Sequence, residues 1–186
     1  MKKLILSLLI ASSFYTNADV IYGTIGIDTG DINPGADKYD VTVYQLGFLI
    51  SSGNIVFSTS AGSGTIKDLF VEDDVDFDGK NLNFGYAFSD VATGSFVLGA
   101  SYSSGEIENP GLPSFKASES DPYIGYSKLS GEGIDYEVLV SSGFFDAKAI
   151  IPLGNSENFR ALIGYGSSDA DDIDALTFGF VYKFNF

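Results

Sequence analysis

Three groups of charged residues have the types and spacing to do chemistry. The first is Asp74-Val75-Asp76-Phe77-Asp78-Gly79, where alternate carboxylates precede a glycine, the opening pattern of a loop that wraps a hard divalent cation. The pattern stops there, because the twelfth position, which in such a loop is a bidentate Glu, is Gly85. Asp74, Asp76 and Asp78 are therefore expected to form a solvated acidic loop first and a weak cation-binding loop second. Asp169, Asp171, Asp172 and Asp174 are read the same way. The third group is Asp135, Glu137, Arg160 and Lys183, ions scattered through otherwise uncharged segments, where burial would force them to pair.

The absent residue types narrow the chemistry further. The chain has no His and no Cys, so it lacks the imidazole that most triads, dyads and transition-metal sites use, and it has neither a thiolate nor a disulfide framework. No two carboxylates are fixed at a catalytic spacing either, so the expectation is a protein that is not an enzyme and has no cofactor beyond a weakly bound divalent cation. A formal net charge of −15 excludes nucleic acid as a partner, since phosphate binding needs a basic footprint.

The elements that must position these ions show a period of two. In the last segment Leu176, Phe178, Phe180, Tyr182, Phe184 and Phe186 share one face, and Ala175, Thr177, Gly179, Val181, Lys183 and Asn185 the other, a segregation that strands produce and helices do not. The same alternation runs through segments near 20–28, 39–50, 55–65, 82–88, 96–103, 122–129, 134–141, 147–153 and 159–166. Ten strands result. Short Gly/Ser/Asn turns at 51–54, 89–94, 130–133 and 154–158 alternate with long polar stretches at 28–38, 66–79, 105–121 and 169–174. A connection near Phe144 to Asp146 is short although it falls at the long-loop end; without that hairpin the count is eight.

Residues 1–18 read as an export signal: Lys2 and Lys3, the apolar run Leu4 to Ala11, and the small residues Thr16-Asn17-Ala18. That run is too short to span a bilayer as a helix. Its removal takes two of the ten Lys+Arg and none of the 25 acids, leaving 8 − 25 = −17 on residues 19–186. The second face of the strands is mainly Gly, Ser, Ala and Asn, which suits a narrow lumen better than a water-facing sheet. The aromatic face then meets lipid, and closure follows because an open edge in hydrocarbon leaves backbone groups unpaired. In this layout Asp135, Glu137, Arg160 and Lys183 face the lumen near the periplasmic end. Pairing about the turns sets Glu137 and Arg160 opposite Pro152, and Arg160 opposite Lys183. Adding Lys148 and Asp28 gives an interior close to charge balance.

The ending Tyr182-Lys183-Phe184-Asn185-Phe186 resembles the assembly signal of bacterial outer-membrane barrels, and in layout the whole chain is similar to the small porin-like and OmpA-like barrel superfamily. The resemblance implies a closed, up-and-down antiparallel barrel inserted by the barrel assembly machinery. It also implies contact with outer-membrane lipid and lipopolysaccharide, whose phosphates a cation could bridge to the acidic loops, and a monomeric state. Enzymes of that superfamily place His beside Ser or Asp near the outer rim, and this chain has no His to place there. The expected role is structural or surface-interacting, with a lumen filled by side chains. A narrow passive pore and a soluble secreted barrel for an apolar ligand are the alternatives.

Overall fold

The computed structural model describes residues 19–32, 39–68, 75–108, 114–168 and 173–185. The proposed export signal lies outside them. The described chain forms β1 (Val20–Ile32), β2 (Tyr39–Ser52), β3 (Ile55–Asp68), β4 (Val75–Ala87), β5 (Ser95–Glu108), β6 (Phe115–Lys128), β7 (Asp135–Ser141), β8 (Phe144–Pro152), β9 (Phe159–Ser168) and β10 (Ile173–Phe184). Each strand pairs antiparallel with its sequence neighbours, and β1 pairs with β10, so the sheet is a closed up-and-down barrel of ten strands. The hairpin whose removal would have left eight is present. Its turn is Ser142-Gly143, not 144–146, and the Ser141 hydroxyl fixes it by accepting from the amides of Gly143 and Phe144, both at 3.0 Å.

Register fixes the barrel's dimensions. From Lys128 on β6, successive cross-strand partners are Tyr136, Ala149, Ile163, Phe178, Ile27, Tyr44, Ser63, Asp78, Glu106 and finally Lys116, back on β6. The circuit returns 128 − 116 = 12 residues from its start, which is the shear. With ten strands and ordinary strand spacing, that shear gives a tilt of about 40° and a backbone radius of roughly 10 Å. The same row is apolar from Tyr136 to Tyr44 and polar from Ser63 to Lys116, so the outward face changes chemistry at one boundary.

Below that boundary the outward residues are large and bare: Tyr44, Leu46, Phe84, Phe96, Phe178 and Phe180 are among many that stay exposed. On β10 the row from Leu176 to Phe184 runs roughly 26 Å along the strand and about 20 Å after the tilt. Side-chain ends bring it near the ~25 Å apolar band of membrane barrels. At the end bearing the short turns, aromatic rings touch edge to face, Phe96 with Tyr126 at 5.3 Å and Phe159 with Tyr182 at 5.3 Å, forming a girdle at the water boundary. The apolar band and the closed ladder together make this a membrane-spanning barrel.

Inside, the sequence expectation of small and polar residues holds only in part. At the turn end Tyr22, Val97, Tyr123, Leu139, Ile150 and Val181 pack into a buried cluster with Val91 and Leu129 from the turns. Those two turns are tied by the Leu129 amide donating to the Val91 carbonyl at 3.0 Å. Glycines make the room: the Tyr123 ring lies across Gly85 and Gly99, where an added Cβ would come within 2.4 Å of Val97 or of Tyr123 itself. The core of this barrel is a layer across its lower lumen.

Candidate functional site

The ions inside the barrel are ordered by the inward rows of the register. At the turn end Asp135 is fully buried and accepts from Ser130 N at 2.8 Å, Ser130 Oγ at 2.9 Å, Gly131 N at 2.9 Å and the Tyr22 hydroxyl. Arg160 Nη1 stands 3.7 Å from its carboxylate. Arg160 also donates to Gly133 O at 2.8 Å and to Gly131 O, and its guanidinium carbon lies 5.5 Å from the Tyr22 ring centroid. Lys183 Nζ donates to the same Gly131 carbonyl at 3.0 Å. Gly131 and Gly133 have φ of +70° and +64°, a region open to Gly, which lets the β6–β7 turn fold its carbonyls inward. Arg160 Nε has no partner among the described residues.

The next inward row runs Ser127, Glu137, Lys148, Gly164, Thr177, Asp28. Glu137 accepts from Ser127 Oγ at 3.1 Å, Lys148 pairs with Asp146 at 2.6 Å, and Asp28 accepts from Gln45 at 2.7 Å and Thr177 at 2.6 Å. Gly164 keeps the row continuous, since a Cβ there would sit 3.2 Å from Thr177 Cβ and 3.3 Å from Lys148 Cγ. Toward the loop end a cavity of about 1420 Å³ opens, lined by Gly26, Gln45, Gly62, Gly79, Gly105 and Ala117.

Two expected pairings are corrected. Glu137 lies opposite Lys148, not Pro152, because the two-residue turn at Ser142-Gly143 shifts that hairpin by four residues. Arg160 does lie opposite Pro152, but on β10 its partner is Val181 and not Lys183. The expected balance of charge is also revised. Asp146, Asp121 and Glu119 occupy inward positions on β8 and β6, so among the residues whose side chains are described, acids outnumber Lys148, Arg160 and Lys183 six to three when Asp28, Asp135 and Glu137 are included. Strict alternation from Lys148 and Tyr123 would have found them, had β8 and β6 been extended far enough.

The Asp76 and Asp78 pair is not in a loop. Both lie in β4 opposite Glu108 and Glu106, and Gly79 is extended between Gly62 and Gly105. Alternation turns Phe77 inward and leaves both carboxylates on the outer wall above the apolar band, so they do not wrap a common centre. Asp74, Asp169, Asp171 and Asp172 lie outside the described residues. On the same wall Lys116 donates to Glu106 at 2.6 Å, and that hydrogen bond holds the Glu106 carboxyl below the ordinary glutamate range. In the terminal segment Tyr182 and Phe184 point outward in ring contact at 5.1 Å, and Phe186 lies outside the described residues.

No protein-family model and no curated protein sequence matches the chain. Among solved structures it is similar to the N-terminal β-barrel domain of Pseudomonas aeruginosa OprF, at 12% identity over 89% of this chain and 98% of that one, with a TM-score of 0.47. It is also similar to Yersinia pestis Ail in a phospholipid bilayer nanodisc, at 12% identity over 89% and 99% with a TM-score of 0.45. The outer-membrane protease OmpT of Escherichia coli matches at 11% identity over 89% and 97%, with a TM-score of 0.45.

Proposed function

We propose that the chain is a bacterial outer-membrane barrel with a structural or surface-interaction role, closed at its periplasmic end and acidic at its surface. One arrangement carries the reading: Arg160, Asp135 and Tyr22 hold the β6–β7 turn beneath the buried apolar layer. An open pore of this radius would have a water-filled waist, whereas here the lower lumen is occupied by Tyr22, Leu139, Ile150 and Val181. Catalysis is not proposed, because the chain lacks His and Cys and the inward carboxylates of Asp28, Asp135, Glu137 and Asp146 are engaged in ion pairs or hydrogen bonds. Insertion by the barrel assembly machinery and a monomeric state in lipopolysaccharide-containing membrane are part of the same reading. So is loose divalent-cation bridging from Asp76 and Asp78 to lipid phosphate.

The test is conductance in planar bilayers. The closed reading expects silence, and steady openings would overturn it. A narrow pore is favoured by the 1420 Å³ cavity and the excess of inward acids; in that case the openings would select cations.

A further inference from the structure

Among the described residues, one stretch of the wall has a strand edge with no strand paired beside it. β6 pairs with β5 from Phe115 to Ser127, but with β7 only from Tyr123 to Lys128. The hairpin formed by β7, of 7 residues, and β8, of 9, is too short to reach higher beside the 14 residues of β6. Among the described residues, the edge from Phe115 to Pro122 has no strand on that side, and Phe115 through Ser120 are exposed.

The backbone direction along this edge can be read. Pro122 has no N–H and so tolerates only the unpaired side; the Asp121 carbonyl, one residue earlier, turns toward β5, where it accepts from the Ser101 hydroxyl at 3.3 Å, and the Leu129 amide, of the same parity, donates to Val91 O on that side. Even-numbered residues therefore turn their backbone groups outward from the ladder. Among the described residues, the N–H and C=O of Lys116, Ser118 and Ser120 have no ladder partner on that side and can take another strand.

The side chains along the edge define what that strand must carry. Phe115, Ala117, Glu119 and Asp121 face inward, and Phe115 continues an apolar row with Ile107 and Phe77. Glu119 Oε1 and Asp121 Oδ2 converge above the low hairpin, 3.6 and 3.7 Å from where a Cβ on Gly143 would be. No cation pairs with either among the described residues.

We propose that the β6 edge from Phe115 to Pro122 docks an extended basic-apolar peptide segment as an added antiparallel strand. The inference rests on the surface-interaction reading above and names its partner chemistry. Read along the incoming strand, the inward face is basic opposite Asp121, basic opposite Glu119, small or branched opposite Ala117, and apolar opposite Phe115. The intervening residues, opposite Ser120, Ser118 and Lys116, are polar. A second copy of this chain does not fit: copies in one membrane point the same way, so their edges cannot meet antiparallel, and Glu119 and Asp121 would face acids. Lipid does not fit either, because the edge stands beyond the apolar band and offers hydrogen-bonding groups.

The probe is the synthetic peptide acetyl-Arg-Thr-Lys-Thr-Val-Thr-Leu-amide, titrated against the full barrel in uncharged phosphatidylcholine nanodiscs, with empty nanodiscs as baseline. N-methylation of the second, fourth or sixth residue, whose N–H would meet β6, should weaken binding at least about tenfold, while N-methylation of the third or fifth should change it less than about twofold. The reversed sequence, of equal charge, and the double variant Glu119→Gln/Asp121→Asn should each lose at least about tenfold. The variant's gel migration before and after boiling must match the parent's, showing that it still folds. Absence of parent-peptide binding, or loss that ignores which amide is methylated, overturns the assignment. A silent barrel that ignores the peptide sinks the docking edge alone, whereas steady conductance sinks the closed-barrel reading whatever the peptide does.

Discussion

Replacing Asp135 by Asn should loosen the floor of the barrel more than any other single polar substitution in the described lumen. The carboxylate is wholly buried and takes hydrogen bonds from Ser130, Gly131 and Tyr22, with Arg160 at 3.7 Å. An Asn keeps the shape but sets an NH2 against donors and removes the carboxylate that, among the described residues, pairs with Arg160. Breaking a buried pair on one side costs roughly 3–5 kcal/mol. The lower bound applies here, because Arg160 keeps its bonds to Gly131 O and Gly133 O. A loss of about 3 kcal/mol corresponds to roughly a hundredfold rise in the open population of the turn. Amide hydrogen exchange of Ser130 and Gly131 in reconstituted barrels reads that population directly, and urea unfolding reads the global change. Asp90→Asn is the control, since Asp90 is exposed and caps a surface turn through Ala92 N at 2.8 Å, so its loss should stay under about 1 kcal/mol. If the two variants behave alike, Asp135 does not organise the floor and the clasp argument fails.

Three further outcomes follow from the same geometry. Phe180→Arg, in the middle of the outward β10 row, should cost about 2–4 kcal/mol when the barrel folds into lipid; a cost near zero would mean that this face does not meet hydrocarbon. Gly99→Val should displace the Tyr123 ring and collide with the Phe84 carbonyl, 2.3 Å from an added Cβ, lowering stability in urea by ~1–3 kcal/mol, and a neutral result would show that the lower lumen is not tightly packed. The folded barrel should also migrate differently on gels before and after boiling, as a closed ladder resists detergent; identical migration would argue against closure.

How much was legible depended on whether a feature is local. The ten strands, the outward aromatic rows and the four short turns at 51–54, 89–94, 130–133 and 154–158 follow from side-chain alternation and glycine-rich turns, as at Leu176 to Phe184 and at Gly53, whose φ is +54°. The inward position of Glu137 was equally legible, because parity along one strand needs no partner. Its partner was not. Pairing depends on the centre of the β7–β8 turn, and Phe144 and Phe145 read as well for a connection as for a strand start. The capping bonds from the Gly143 and Phe144 amides to Ser141 Oγ settle it four residues away from the expectation.

The acidic motif on β4 failed for a related reason. Asp-x-Asp-x-Asp-Gly has a period of two, so it suits a cation loop and an extended strand equally, and composition cannot separate them. What decides is the neighbour: Gly62 and Gly105 flank Gly79, and Thr65 and Glu108 flank Asp76, so ladder hydrogen bonds hold the segment straight before any turn can form. Strands that continue past the membrane in this way raise a wall on the β2 to β6 side, while the two-residue turn keeps the β7–β8 side low. The unmatched heights follow from closure with a shear of 12 around unequal hairpins, and they leave the β6 edge above the apolar band with no paired strand among the described residues, where water-side backbone groups can recruit a strand that lipid never could.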